Sequence, residues 1–576
     1  MVRQSIIRYF EKALKEAKNE LSLPDFKESE ITLEIPSNPA FGDYASPLAI
    51  NIAKKIKEDP IKVAKTLERE INKATPPNFF SKIEVVPPGF INFFLSEETI
   101  KHFFDELAKE GVKRGKKKKE AIVIDYSSPN IAKPMGIAHL RSTIIGAALY
   151  NIFNFLGYRT IGDNHLGDWG TQFGKLIVAW KRDRRKPKEI SVKNLFDLYT
   201  KFHQEAEKNP ALESQAREET QKLQSGNKEN KKLWELFREI SLQDFKKIYK
   251  RLNIKFDHYL GESFYNKYLP EVVKESLSRK IAKKSQGAVV VDLGKFGLPI
   301  FIIQKSDGSY LYSTTDLATL KHRISTFKPR KILYVVGNEQ TLHFQQIFKT
   351  AQLLGYDKNC EFRHIKFGLI KGEDKKRFSS RKGKAVFLES VIDEAVERAM
   401  QIVKKKNPKL TLKEKKNIAE IAGIGALKYN DLSQNRLTDI QFNWDKMLNF
   451  EGNSAPYLQY SFTRLQSILK KAKFKKPDLA SKNLQEYKLS AAEMSLLKHL
   501  FRFGDTIEEI SKNFFPNQLA DYLYQLAIKI NNFYEKVPVL KSPVQEREIR
   551  LALIYLAAEV LKTGLNLLGI ETPKKM

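Results

Sequence analysis

Apolar residues recur along this chain with two periods, and the change between them divides it. At the start, Ile6, Phe10, Leu14 and Ala17 repeat at helical spacing with charges between them. Residues 31–36 and 82–96 alternate apolar and polar side chains, which predicts strands. Residues 1–110 are therefore expected to form an α+β domain. A basic run, GVKRGKKKKE at 111–120, reads as a solvated hinge, with a phosphate contact as the alternative. Beyond it, short apolar runs at 121–125, 158–164, 331–338 and 364–370 alternate with helical stretches. That alternation predicts a parallel sheet with crossover helices over residues 120–389. Residues 181–257 are charged and helical, an insertion with a mobile tip expected at 224–232. Residues 287–309 read as a hairpin, and 390–576 as almost wholly helical.

The most informative stretch is 125–146, DYSSPNIAKPMGIAHLRSTIIG. An apolar strand leads into it. Asn130, Lys133, Pro134 and Gly136 break the pattern, and a helix opens near His139 with Leu140, Ile144 and Ala147 on one face. A loop ending at a helix N-terminus suits anions, because unpaired N–H groups and the helix dipole point at them. His139, Lys133 and Arg141 are the phosphate candidates here, while Asp125 and Asn130 ask for a second kind of ligand. In such sheets ligands bind at the carboxyl ends of the strands, where 125–139, 164–174 and 337–343 are all expected.

Composition narrows the picture. With 576 residues the chain is too long for one core, so three or four domains are expected. Its hydrophobic content of 42% suits globular packing, no apolar run reaches the length of a membrane span, and the N-terminus is no signal peptide. The single cysteine, Cys360, excludes an internal disulfide framework and a cysteine zinc site, which suits a cytoplasmic location. The net charge of +32 favours a polyanionic partner, although an AT-rich genome that leaves lysine on solvated faces gives the same number.

Six motifs stand in order along the chain: SSPNIAKPM with HLRSTIIG (127–146), GDWGTQFG (167–174), LGESFY (260–265), DGSYLYSTTDLA (307–318), RFSSRKG (377–383) and FEGNSAPYLQYSFTR (450–464). Together they resemble arginyl-tRNA synthetases, class I aminoacyl-tRNA synthetases. The resemblance implies a Rossmann-type catalytic domain with a helical insertion. It also implies an α+β N-terminal tRNA-binding domain and an all-α C-terminal anticodon-binding bundle. The first class I signature, HIGH, falls on Gly136-Ile137-Ala138-His139 and keeps only its last histidine. A methyl at Ala138 crowds adenine, and Gly136 removes one phosphate donor whose charge Lys133 can replace. The second, KMSKS, falls on 377–381, with Lys382 following as in the family's RKG variant.

By this resemblance His139, Lys133, Gly136, Ala138, Ser380, Arg381 and Lys382 form the ATP site, with Mg²⁺ arriving on the nucleotide. Adenylation brings two anions together, so cations set in place around the phosphates lower its barrier. The arginine site is assigned to Asp125, Ser128, Pro129, Asn130, His139, Tyr312, Asp316 and Gln340, since a planar guanidinium asks for carboxylates in fork geometry. Asp125 and Asp316 are its two acids, Tyr312 sharing a helix face with Asp316. Read alone, Asp316 is equally an acid favoured by a helix N-terminus, and Gln340 a surface residue. Asp168, Trp169, Thr171 and Gln172 are expected to line the pocket for ATP or the terminal adenosine, with loop packing by Trp169 as the alternative.

For RNA the resemblance points to Asn38 and Phe41 at the tRNA elbow, and to Tyr457, Tyr460, Arg464 and Met576 at the anticodon. Gln459 lies on the same helix as these tyrosines. Amides read base edges, and aromatic or guanidinium planes stack on splayed bases. Core packing is the competing role for Phe41 and for one of the two tyrosines. The implied activity is ATP-dependent joining of L-arginine to its tRNA by a cytoplasmic monomer, with arginine activation requiring bound tRNA. A class I synthetase for another amino acid and a non-catalytic tRNA-binding paralogue are the alternatives.

Overall fold

The computed structural model describes residues 2–23, 30–36, 38–183, 190–372, 386–475 and 483–576. The chain forms two compact units, and neither is continuous in sequence. One comprises residues 1–113, 460–509 and 522–564, the other 114–459, 510–521 and 565–576.

The first unit starts with helix α1 (Val2–Glu16), whose stripe of Ile6, Phe10 and Leu14 is buried as its spacing predicts. Strand β1 (Tyr44–Ser46), helices α2 (Leu48–Ile56) and α3 (Pro60–Ala74), strands β2 (Phe80–Val86) and β3 (Phe90–Leu95) and helix α4 (Glu97–Glu110) follow. The strands form an antiparallel sheet in the order β1–β3–β2. Phe10 meets Phe93 of β3 edge-on at 5.5 Å. Residues 82–96 thus divide into a hairpin. Residues 31–36 do not form the expected strand: they make one isolated bridge, Glu34 to Ala45, because β1 is only three residues long and offers no further ladder. Helices from far along the chain complete this unit. Lys498 pairs with Asp43 at 2.8 Å, the Tyr44 hydroxyl donates to Asp505 at 3.1 Å, and Phe501 meets Phe103 edge-on.

The second unit is built on four parallel strands, β4 (Ala121–Asp125), β5 (Arg159–Asp163), β9 (Pro329–Tyr334) and β10 (Glu361–His364), in the order β10–β9–β4–β5. Every residue of β4 is buried, as in a central strand covered on both faces. Helix α5 (Ala138–Phe155) joins β4 to β5. Next come helix α6 (Gln172–Asp183) and the insertion, α7 (Val192–Lys208), α8 (Ala211–Gln224) and α9 (Lys228–Arg251). The tip expected at 224–232 shrinks to a turn at 225–227, because Asn227 caps α9 by accepting from Glu229 and Asn230 N–H. After helices α10 (Glu262–Tyr265) and α11 (Leu269–Ser278), strands β6 (Ala282–Ser285), β7 (Ala288–Val291) and β8 (Phe301–Gln304) form a small antiparallel sheet. It shares a core with α11 and with helices α12 (Tyr312–Phe327) and α13 (Thr341–Leu353). The strand expected at 364–370 is split between β10 and β11 (Ile370–Lys371), which pairs with β12 (Ile440–Gln441). Gly368 sits at the break, where a Cβ would come within 2.6 Å of the Thr438 carbonyl. Helices α14 (Leu388–Lys406) and α15 (Leu412–Leu432) form a hairpin, α15 opening on a Thr411–Glu414 capping box.

Among the described residues no helix is long and apolar enough to cross a membrane. The chain runs from β4 outward to β5, then returns to the other side of β4 for β9 and β10. The crevice beyond the carboxyl ends of β4 and β9 is therefore a topological switch point, the place where open parallel sheets bind ligands.

Candidate functional site

The loop from β4 to α5 is held in a shape its residues would not choose alone. Ser127, Ser128 and Ala132 take positive φ angles of 73°, 48° and 62°, each a strained choice for a side chain with a Cβ. Surrounding bonds impose it. The Ser142 hydroxyl of α5 accepts from Ser127 N–H at 2.9 Å and donates to the Val335 carbonyl at the end of β9 at 2.6 Å. Asn164 accepts from Ser128 N–H at 3.1 Å, and Ser241 from Ala132 N–H at 2.8 Å. The Tyr249 hydroxyl lies 2.8 Å from Ser127 Oγ. Pro129 and Asn130 run beside Gly167, where an added Cβ would meet the tip of the Asn130 side chain, Oδ1, at 1.9 Å. Pro129 is buried and the Asn130 side chain exposed.

Asp125, at the tip of β4, is 5% exposed and both its oxygens are engaged. Oδ1 accepts from the Ser128 hydroxyl at 2.9 Å, Oδ2 from Arg323 at 2.7 Å. Arg323, from α12, also donates to Asp163 at 2.8 and 3.0 Å and is wholly buried. Burial disfavours its charge, but Asp125 and Asp163 outweigh that and raise its pKa well above the ordinary guanidinium value. The expectation that Asp125 forks a ligand's guanidinium therefore meets an internal arginine already in that place. Sequence reasoning missed Arg323, seven residues beyond Asp316 on the same helix.

Asp316 is more open, its side chain 25% exposed, and His343 Nε2 lies 2.5 Å from its Oδ2. The His343 ring packs against Tyr312 with centroids 4.7 Å apart, and Tyr312 is 62% exposed. Gln340 is exposed in the short turn just before α13. A further acid, Glu262, stands near Asp316 and His165. Burial first, then the charges of Asp316 and Asp168, push its carboxyl up to about 7 against the pull of His165. Glu262 lay in the quoted LGESFY motif and His343 at the end of the 337–343 segment, but no local pattern marked them as partners of Asp316.

Asp168 is fully buried. Its oxygens accept from the Ser263 N–H and hydroxyl, at 2.8 and 2.9 Å, and from Arg238 at 3.0 Å, while Gly261 leaves room for the carboxylate. Beside it, Trp169 meets Trp234 of α9 edge-on, Gln172 donates back to the Trp169 carbonyl at 3.1 Å, and Thr171 is exposed. At the start of α5, His139 Nδ1 donates to the Gly136 carbonyl at 3.2 Å, which leaves Nε2 for a ligand. Burial holds the ring below the ordinary imidazole pKa against that bond, so it is neutral at pH 7. Lys133 is exposed, its amine 5.7 Å above the Phe196 ring, and Ala138 is exposed as well. Gly136 bridges to Phe387, so the described chain resumes at 386 directly against the HIGH-like stretch. Ser380, Arg381 and Lys382 lie outside the described residues. Arg141 is no phosphate ligand: it is 1% exposed and bound to Asp431 and the carbonyls of Gly368 and Thr438.

Of the RNA candidates, Phe41 is 51% exposed rather than core, beside Asn38, whose side chain caps the turn 39–41 by accepting from Ala40 N–H. Tyr457 is half-buried and Tyr460 is 45% exposed on the helix Ala455–Lys471. Arg464 stacks 3.9 Å over Tyr534. Met576 is half-buried, next to Lys575, which lies 3.7 Å from Glu414. Gln459 differs from its neighbours: it is buried and donates to the carbonyl of Glu571.

Comparison with known proteins agrees over the whole length. Residues 102–444 match the model for the class I (R) tRNA synthetase catalytic domain, 458–576 that for the DALR anticodon binding domain, and 4–95 that for the arginyl tRNA synthetase N terminal domain. The arginine–tRNA ligase of Fusobacterium nucleatum is 44% identical over 555 residues, 96% of each chain. That of Halothermothrix orenii is 40% identical over 579 residues, covering 99% of this chain and all of its own. Among solved structures, Plasmodium falciparum arginyl-tRNA synthetase superposes with a TM-score of 0.84 at 29% identity, covering 100% of this chain and 99% of its own.

Proposed function

The chain belongs to the class I arginyl-tRNA synthetase family, and from that membership we propose how its site works. L-arginine is activated by ATP: a carboxylate oxygen attacks the α-phosphorus, and pyrophosphate leaves. The 2′-hydroxyl of the tRNA's terminal adenosine then attacks the activated carbonyl, and AMP leaves. The observation that carries this assignment is the opposition of two chemistries at one switch point. On one side lie the acids Asp316 and Glu262, with His343 and Tyr312. On the other, His139 and Lys133 stand at the start of α5.

Substrate guanidinium lies between Asp316 and Glu262, two acids that form no ion pair with an arginine among the described residues. Its positive charge favours the ionised form of Glu262 and so draws off the proton that the empty site retains. Asp125, through Arg323 and Ser128, holds the loop rather than the ligand. Ser128, Pro129, Asn130 and Gln340 bound the α-amino and carboxylate end. His139 presents Nε2 to the triphosphate, whose charge favours protonation of that ring, and Ser380, Arg381 and Lys382 complete the cationic surround. Mg²⁺ enters this scheme as a companion of the ATP phosphates. Trp169, Thr171 and Gln172 border the adenosine, with Asp168 fastening the loop that carries them. Asn38 and Phe41 meet the tRNA elbow, and Tyr457, Tyr460, Arg464 and Met576 the anticodon arm. The protein works as a cytoplasmic monomer.

The test is arginine-dependent exchange of pyrophosphate into ATP, with and without tRNA for arginine. Exchange that needs both arginine and tRNA is expected. No exchange with arginine at any salt concentration, or exchange with lysine in its stead, would end the assignment.

A further inference from the structure

The basic run at 111–120, read from the sequence as a solvated hinge, is fastened over its second half. Gly115 N–H donates to the Phe155 carbonyl at 2.8 Å and Lys118 N–H to that of Gly157 at 2.7 Å, at and just beyond the end of α5. The two backbones touch: a Cβ on Gly115 would fall 2.5 Å from the Leu156 carbonyl oxygen, and one on Gly157 2.0 Å from that of Lys116. Lys118 lies 3.9 Å over the Tyr158 ring, while Lys116, Lys117 and Lys119 are exposed. The run thus enters β4 along the amino-terminal edge of the parallel sheet, the edge opposite the crevice. Strand register brings further cations there. Ala121 pairs with Arg159 of β5 and with Pro329 of β9, so Arg159, Lys328 and Arg330 stand beside the run. All three are exposed, and Arg159 reaches across to donate to the Phe327 carbonyl.

Acids are few in the segments that form this edge, 115–120, 157–159, 327–331 and 357–363. They are Glu120, Asp357 and Glu361, and Glu361 is held by Lys331 and Arg363. We propose that the edge is a second RNA site, which grips the phosphate backbone of an RNA other than the substrate tRNA. Two observations favour this occupant. First, among the described residues none of the fifteen exposed large apolar side chains belongs to these segments. A protein partner needs an apolar centre to its contact, whereas a nucleic acid held by its phosphates needs only spaced cations. Second, the edge is separate from the crevice: β4 and β5, five residues each, hold the two about 17 Å apart. An RNA on the edge therefore leaves the carboxyl ends of the strands open to tRNA. With no exposed aromatic ring in these segments for bases to stack on, the grip is by charge and blind to sequence. The protein thereby stays attached to one RNA while it works on another.

The experiment measures binding of a short labelled RNA without self-complementarity to the full chain, alone and with one equivalent of tRNA for arginine. The strand should still bind when tRNA is present, with an affinity that falls steeply with salt. Lys116→Gln/Lys117→Gln/Lys119→Gln should weaken it about tenfold and lower the log–log salt slope by about 2–3. Lys328→Gln/Arg330→Gln, on a different segment, should act in the same direction, and Lys116→Arg/Lys117→Arg/Lys119→Arg should keep the parental binding. All these positions are exposed, so thermal midpoints, tRNA affinity and arginine charging should stay at the parental values. Expulsion of the strand by tRNA, a matching loss of tRNA affinity in the glutamine variants, or polyglutamate binding as tightly as the RNA through the same lysines each overturns the proposal, as does an unchanged salt slope. Arginine charging by the unaltered protein reports on the family reading separately from these affinities.

Discussion

The two acids at the crevice differ in what they do with a proton. Asp316 is tied to His343, whereas the Glu262 carboxyl sits at about 7 because burial and two neighbouring carboxylates oppose its charge. Arginine affinity should therefore strengthen as pH rises from about 6 to 8. Glu262→Gln should weaken arginine and flatten that profile; an unchanged profile in the variant would place the titration elsewhere. Stability moves the other way. Between the ordinary 4.5 and about 7 the folded protein holds a proton that the unfolded chain has lost, so stability falls as pH rises through that window and levels off above it. The glutamine variant should lack this decline in thermal melts. Asp316→Asn removes a full charge from the partner proposed for the guanidinium and should raise the arginine KM roughly 10- to 100-fold, with the ATP KM little changed. Equal effects on both substrates would contradict the assignment. The family resemblance picked out Asp316, Tyr312 and His139 as candidates in the sequence. It could not expose Arg323 as the partner of Asp125, because that pairing joins residues 198 positions apart through a sheet and a helix.

At the scale of elements, helix α9 braces both loops of the site. Trp234, Arg238, Ser241 and Tyr249 lie along it, and each bonds one of the two loops that line the crevice. The amphipathic pattern of 181–257 announced helices there but not this duty, since a bond to a loop carbonyl leaves no periodic trace. The parallel strands were legible because a doubly covered strand reads as an unbroken apolar run, as AIVID does. The strand expected at 31–36 failed for lack of a partner, which alternation alone does not reveal. Helix α5 depends on a close approach: a Cβ at Gly146 would fall 2.2 Å from Cβ of Tyr126. Gly146→Ala should therefore force the helix off β4, at a cost of about 1–3 kcal/mol. A lowered thermal midpoint together with slower adenylation is expected; a midpoint equal to that of the parent would show that the contact yields easily.

The whole molecule carries +32 charges, and its partner is a polyanion. The tRNA dissociation constant should rise steeply with salt, as a straight line in log–log form whose slope counts the phosphates neutralised. A flat response would mean that shape alone holds the RNA. The division of the chain also bears on how it is made. The first unit needs residues 460–509 to cover what residues 1–113 leave open, and roughly 350 positions separate these segments. At about 5–20 residues per second, the ribosome takes on the order of 20–70 seconds to span that gap. The second unit closes later still, when Lys428 and Gln459 take hold of the carbonyls of Gly569 and Glu571. A nascent chain thus waits half-finished at both ends, exposed to chaperones and proteases, and a message cut short before residue 564 leaves neither unit complete.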